Sequence, residues 1–392
     1  MNMMDRWHIV STQMTRKTLT ITLILLWTLI AHGAEEQDPN TIEINLHYRE
    51  SAGYTSSSLN FDDSLSLVKT PDIPSGSTTV KGYLRTHPER NKSMAFVIDI
   101  DQAKLYLDLN LNRDLTDDPN GFGLNSRTHG GNNRHQRYED IILTIPRKEL
   151  LHRYRIAISL DYYGQDQKYG YVNVYSRYGG TFTLNGAQWK MTLNENLDGR
   201  LSSGDSITLH PPQHESARLN LPSSLFLNER AYTCKTNFAS DNQQRPRVVF
   251  SLIPKDLPLG QLNLTGQYLH YLKLTSKDIT IPIFAPQPTI TIPIGSYRCS
   301  ELTLRTPEQK ITVSHRRFDT EFEITANEPY TLQYGGPLIP SITATQKGQS
   351  VSLGFELKGQ GGEAYHISHE NKPGFTVFKG NLEIDSGEFE YG

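Results

Sequence analysis

The segment from Asn194 to Asp205 sets oxygen-bearing side chains at alternate positions. Asn194, Asn196 and Asp198 stand first, third and fifth, Gly199 sixth, Leu201 eighth and Asp205 twelfth. Calcium chemistry asks for this spacing. Ca²⁺ takes about six to eight hard oxygen ligands. A tightly turned loop supplies them from alternate side chains, from one backbone carbonyl at the seventh residue, Arg200, and from a late carboxylate that closes the shell. The glycine permits the sharp turn, and the apolar eighth residue pins the loop to a core. Only Asp198 and Asp205 among these side chains are charged, which predicts weak binding, with a dissociation constant of roughly 10⁻⁴–10⁻³ M.

A related stretch lies upstream. Asp108, Asn110, Asn112 and Asp114 are followed by Leu115, Asp117 and Asp118. Oxygens again fall at one, three and five, and an apolar residue at eight. Arg113 replaces the turn glycine and Pro119 occupies position twelve, so Asp117 or Asp118 must close the shell. The alternative for both segments is a turn without an ion, because Asn, Asp and Gly make turns unaided.

Other residues that could do chemistry are less organised. His129 and His135 lie near Asp117 and Asp118 in sequence, but their spacing matches no zinc signature. Their setting, 119–137, reads as a polar, Gly/Asn-rich loop. Glycoside hydrolysis needs two carboxyls about 5–9.5 Å apart. Asp99, Asp101, Asp161 and Asp166 are available, and nothing in their spacing singles them out. Tyr154, Tyr162, Tyr163, Tyr169, Tyr171, Tyr175 and Tyr178 crowd one stretch. They read either as strand residues or as a stacking platform for sugar rings.

The elements that must position these residues are strands. Short alternating runs, such as Thr41 to Tyr48, Ser93 to Asp101, Ile141 to Ile145, Tyr154 to Leu160, Ser206 to Leu209 and Arg247 to Ile253, are bounded by Gly, Pro, Asn and Asp. Outside the N-terminal segment, only Arg147 to Arg153 invites a helical turn. The expected class is all-β. Each acidic loop should follow a hairpin. Asn185-Gly186 predicts a type I′ turn pairing Leu184 with Ala187 and Phe182 with Trp189. Aligning the loops superposes Phe96 on Phe182, Leu107 on Leu193 and Leu115 on Leu201, a weak internal repeat.

Breaks at His210-Pro211-Pro212 and Gly335-Gly336-Pro337 divide the chain into an N-terminal β-domain (35–211), a β-sandwich (212–334) and a small immunoglobulin-like module (335–392). Residues 1–34 read as a signal peptide: basic Arg6, Arg16 and Lys17, an apolar run from Leu19 to Ile30, then small residues for cleavage. That places the mature chain outside the cell or in the periplasm. Loss of those three basic residues and of Asp5 takes the formal charge from −3 to −5. A mildly acidic chain without a basic run is a poor fit to nucleic acid, and no later segment is apolar enough to span a bilayer. Cys234 and Cys299, in an oxidising compartment, are either a disulfide or two buried thiols.

The two loops resemble the calcium loops of EF-hands, dockerins and thrombospondin type 3 repeats. The matching residues are Asp108, Asn110, Asn112 and Asp114 in one, and Asn194, Asn196, Asp198, Gly199 and Asp205 in the other. The resemblance covers these segments alone and implies Ca²⁺. Dockerin loops precede helices and lie close together. Here strands flank them and 86 positions separate Asp108 from Asn194, so cohesin binding is not carried over. As a whole the chain resembles secreted bacterial β-proteins that bear such loops, which implies no activity. The expectation is a secreted, calcium-stabilised structural or binding protein, whose partner is a polysaccharide or a cell-surface protein. The alternative is a polysaccharide-active hydrolase or a carbohydrate-binding protein that uses the tyrosine-rich stretch.

Overall fold

The computed structural model describes residues 40–389, interrupted at 119–120, 124–125, 131–132, 148–149, 164–166, 306–311, 317–319, 349 and 368–372. Residues 1–34, expected above to be a signal peptide, lie outside the described residues, as do Pro119, Asp166 and the side chain of His129. The fold is all-β: among the described residues the one helical element is a single 3₁₀ turn, Arg90–Lys92. No helix there is long and apolar enough to cross a membrane.

Two long strands organise the N-terminal half. Ile42–Ser58 pairs antiparallel with Pro246–Lys255 through its first residues and with Lys168–Leu184 through the rest. Lys168–Leu184 in turn pairs with Leu150–Tyr162 through its first half and with Ala187–Asn194 through its second. Alternation of burial along it, with Val172, Val174 and Tyr178 inward, gives the sheet one core face. A five-stranded sheet built on Thr79–Leu84, Met94–Asp99 and Lys104–Leu107 adds a second layer. Phe96, Ile98, Leu105 and Leu107 from this layer share one core with Ile44, Leu46, Ile156, Val172 and Phe250. On its other face Val97 and Tyr106 pack with Leu115, the eighth residue of the upstream loop. Leu201, the eighth residue of the other loop, packs against the main core.

The Asn185-Gly186 turn forms as its dipeptide demands. Asn185 has φ 49° and Gly186 φ 75°, and Leu184 faces Ala187 while Phe182 faces Trp189. Three local expectations are corrected. The described residues of 147–153 are strand and not helical turn: Asn133–Arg147 and Leu150–Tyr162 are strands paired up to Arg147 and Leu150. The period-2 alternation of buried Ile145, Arg147, His152 and Tyr154 decides it. The 119–137 stretch is not a structureless loop, because Ser126–Gly130 pairs with Asn133–Arg147. The internal repeat is imperfect: Phe96 faces Leu107, whereas Phe182 faces Trp189, so the hairpins differ in register although each runs into its acidic loop.

The cores do not divide at Pro212 or Gly335. Leu225, Leu227, Tyr232, Val248, Phe250 and Leu252 belong to the N-terminal core. A second core, built around Leu262, Leu272, Ile292, Cys299, Leu302 and Phe322, also takes in Leu357 and Tyr365 from beyond Gly335. The strand Thr280–Phe284, which carries Pro282, has Leu269–Thr275 along one side and a single parallel pairing, Leu225 to Thr280, on the other. The hairpin of Gly374–Lys379 and Leu382–Glu388 is a sheet of its own. Cys234 packs against the first core and Cys299 lies in the second, and both are free thiols. Burial pushes the Cys234 thiol up to about 12 and raises Cys299 as well.

Candidate metal centre

The strand Ala187–Asn194 ends where the alternation of its side chains carries straight on. Leu193, Glu195 and Leu197 point inward, and Asn194, Asn196 and Asp198 stay partly exposed. The chain then turns sharply, with Leu197 at φ 72° and Gly199 at φ 81°. The turn is held by a ladder of side-chain to backbone bonds. Asn196 Oδ1 accepts from the N–H of Asp198 at 2.9 Å, and Asp198 Oδ1 accepts from the N–H of Arg200 at 2.9 Å. Asp205 folds back over the start of the loop. Its Oδ1 accepts from the N–H of Asn196 at 2.9 Å and its Oδ2 from that of Ser202 at 2.8 Å. Asn194 approaches Ser206 Oγ at 3.5 Å, and the Arg200 side chain is exposed.

The upstream loop repeats this conformation. Leu111 (φ 64°) and Arg113 (φ 68°) take the left-handed backbone at positions four and six, as Leu197 and Gly199 do. Arg113 therefore occupies a conformation that glycine favours. The same ladder appears: Asn110 Oδ1 accepts from the N–H of Asn112 at 3.1 Å, and Asn112 Oδ1 from that of Asp114 at 2.7 Å. Asp108 is buried, and its two oxygens accept from the N–H groups of Asn112 (2.9 Å) and Arg113 (3.2 Å). Asp118, and not Asp117, plays the part of Asp205, since its Oδ1 accepts from the N–H of Leu109 at 3.2 Å. Asp117 Oδ2 accepts from the Asn112 amide at 2.7 Å. Asp114 makes an ion pair with Lys69 at 3.0 Å. The Thr116 hydroxyl and N–H bonded to its carboxylate, together with Lys69, hold Asp114 below the usual carboxylate range.

Both closing carboxylates are strained electrostatically. Burial pushes Asp205 up to about 7; the N–H bonds from Ser202 and Asn196 oppose this, and the charges of Glu195 and Asp198 add to it. Burial also raises Asp118, reinforced by Asp108 and Asp117, and its Oδ2 is buried without a hydrogen-bond partner. A hard divalent cation would relieve both. The donor set, all carboxylate, amide and carbonyl oxygen, fits Ca²⁺. Among the described residues, no group of three or more His, Cys, Asp or Glu is placed to hold a metal. A cation here would therefore draw on asparagine and backbone oxygens as well as carboxylates.

Sequence reasoning passed over the groups that anchor these loops. Arg147 is buried and its Nη1 donates to the carbonyl of Thr86 at 2.7 Å. Its Nη2 donates to Leu197 O at 2.9 Å and to Glu195 Oε1 at 3.1 Å. The Tyr154 hydroxyl donates to Glu195 Oε2. Burial raises Glu195, with the Arg147 guanidinium opposing it. In the upstream loop, Arg113 Nη2 donates to the carbonyls of Arg90 and Asn91, both at 3.2 Å. One connector, 86–91, is thus gripped by an arginine from each side. Burial of Glu195 was readable from the alternation running past Leu193. Nothing in the sequence linked it to Arg147, 48 residues away.

The remaining candidates are committed elsewhere. His135 pairs with Asp161 at 2.6 Å, and not with Asp117 or Asp118. Asp99 is buried, and its Oδ1 accepts from the N–H groups of Asp101 (3.1 Å) and Gln102 (2.9 Å) in a turn. Asp101 accepts from the N–H of Thr78 at 2.7 Å and pairs with Arg134. No family model, no curated protein and no solved structure matches the chain.

Proposed function

We propose that this is a secreted or periplasmic, non-catalytic structural or binding protein whose N-terminal half is rigidified by Ca²⁺ at the loops 108–118 and 194–205. We read the strands of the second core, from Leu259–Leu264 onward, as immunoglobulin-like sandwich structure that displays or spaces this unit. The observation that carries the calcium reading is the shared loop conformation: left-handed backbone at positions four and six, the same Asn/Asp ladder, and a closing carboxylate desolvated in each. Two segments with unlike hairpins adopt it, one of them with arginine where glycine would be easier. Calcium would neutralise the crowded acids and stabilise the fold by RT ln(1 + [L]/Kd), about 2.7 kcal/mol at a hundredfold excess over Kd. The commitment of Asp99, Asp101 and Asp161 to turns and ion pairs favours this reading over the hydrolase alternative.

The test is thermal unfolding of the mature chain in about 10–100 mM CaCl₂, a hundredfold excess over the expected Kd, and in EGTA, with Asp198→Ala as control. Calcium should raise the melting temperature by about 5 °C, and the variant should lose much of that gain. Superimposed melts in the two buffers would sink the calcium reading.

A further inference from the structure

The tyrosine-dense stretch divides between the two faces of a sheet: Tyr154, Tyr162 and Tyr178 pack with the core, and Tyr163, Tyr169, Tyr171 and Tyr175 gather on the other face. Antiparallel register sets His135, Asp161 and Tyr169 in one row across three strands, and Arg137, Ser159, Tyr171 and Ser58 in the next across four. Ala157, Asn173 and Ser56 follow. Strand alternation then puts Arg155 and Tyr175 on this same face, opposite the core side that carries Val172, Val174 and Ile158. Tyr54 reaches it from the bulge between Glu50 and Thr55, with its ring 5.6 Å from that of Tyr175. Tyr163 meets Tyr169 at 6.1 Å. The rings are open to solvent: Tyr54 is 55% exposed, Tyr169 54%, Tyr163 45% and Tyr171 43%.

Between the rings lies a floor of small and polar residues. Ala157, Ser159 and Asn173 are buried, and Ser159, 6% exposed, has a hydroxyl with no hydrogen-bond partner. A buried hydroxyl left unpaired costs about 1–3 kcal/mol, so its place on a face that otherwise meets water points to a ligand hydroxyl. The charged arginines in these rows are paired, Arg137 with Glu139 and Arg155 with Asp140, and His135 hydrogen-bonds Asp161 at 2.6 Å. A recess of about 240 Å³, lined by Ser51, Glu139, Asp140, Arg155 and Tyr175, closes one end. From Tyr169 to Tyr175 the face runs about 20 Å at about 3.3 Å per residue.

We propose that this face is the docking platform for a neutral polysaccharide chain. The inference rests on the reading of the protein as a secreted binding protein and names its partner. Sugar rings present flat C–H faces that stack on tyrosine, and hydroxyls that need both donors and acceptors. The tyrosine rings supply the first need; Ser159, Asn173, Ser56 and Ser58 supply the second. The rows offer no aliphatic side chain larger than Ala157 for a protein partner to interdigitate with. Their paired charges complement an uncharged chain and not an anionic one.

The experiment is native affinity electrophoresis of the full mature chain in gels cast with hydroxyethylcellulose, xylan or galactomannan, and with polygalacturonate as the anionic comparison. Tyr169→Ala and Tyr171→Ala alter exposed rings, and Phe378→Ala, on the C-terminal hairpin, is the control. Sedimentation of each protein runs alongside. Retardation by at least one neutral polymer is expected, weakened about tenfold or more by either tyrosine variant and unchanged by the control. The proposal is overturned by the absence of neutral retardation, by retardation that the variants leave intact, or by retardation in polygalacturonate alone. It is equally overturned if the tyrosine variants abolish a dimer and no glycan binds, which would make the face a contact between copies. Calcium and EGTA melts on the same samples need no glycan, so failure of the calcium reading and failure of the platform are told apart.

Discussion

Asp205 ties calcium to pH in a way that can be measured. Without a cation, burial holds its carboxyl near 7, against an ordinary 3.8. At about 1.4 kcal/mol per pH unit, that gap corresponds to about 4 kcal/mol. The folded chain keeps a proton that the unfolded chain has already released. Stability contributed by this group is therefore full below about pH 4, falls as pH rises to about 7, and is level above. His152 works in the opposite direction: burial, aided by the Arg147 charge, lowers it from 6.5 to about 4, so its contribution grows between those values. The two trends overlap, and a single pH profile would mix them. Asp205→Asn removes one and leaves the other. The assay is urea unfolding between pH 4 and 8 in EGTA and in CaCl₂, followed by fluorescence of Trp189, the one tryptophan after residue 34 and part of the N-terminal core. In EGTA, the wild-type profile minus that of Asp205→Asn should decline by up to about 4 kcal/mol across pH 4–7. Saturating calcium should add about 2.7 kcal/mol at pH 8 at a hundredfold excess over Kd, and clearly less at pH 5, where the proton occupies the cation's place. Identical profiles in both buffers, or a larger calcium gain at pH 5 than at pH 8, would refute the reasoning.

Arg147→Met should destabilise the chain by about 3–5 kcal/mol in urea unfolding, because Glu195 is left buried without its counter-charge. Adding Glu195→Gln should restore part of that loss, and a double mutant no better than the single would show the pair to be unimportant. Gly199→Ala forces a side chain onto φ 81° and places its Cβ 3.2 Å from Thr86 O, Pro88 Cδ and Arg147 Nη1. It should cost about 1–3 kcal/mol and reduce the calcium gain, whereas Gly186→Ala, at φ 75° in open space, should cost about 1 kcal/mol and leave the calcium gain intact. His152→Phe should flatten the loss of stability as pH falls from 6.5 to about 4; an unchanged acid limb would assign that loss elsewhere. Dithiothreitol should leave the melting temperature unchanged, and a thiol-reactive dye should label two groups after unfolding and few before. Absence of labelling after unfolding would establish the disulfide.

Local signals carried the all-β class, the Asn185-Gly186 hairpin with its register, and the oxygen spacing of both loops. Each depends on neighbours a few positions apart: alternation of period two, a dipeptide suited to positive φ, ligands at alternate positions. Even the pinning of Leu115 and Leu201 to cores followed from their place in the loops. Tertiary structure decided what depends on distant residues meeting. Arg147 and Glu195 find each other only because a strand end and a loop converge on the 86–91 connector. His135 takes Asp161 across a strand pair instead of the aspartates nearer in sequence. The two cores ignore the proline and glycine breaks, because burial follows which strands pair and not where the chain bends. The tyrosines illustrate both sides. Their abundance was plain in the chain, but the gathering of Tyr169, Tyr171 and Tyr175 on one solvent face over an unpaired Ser159 hydroxyl, with Tyr154 and Tyr178 in the core, arises from the register of four strands, which no single stretch of sequence encodes.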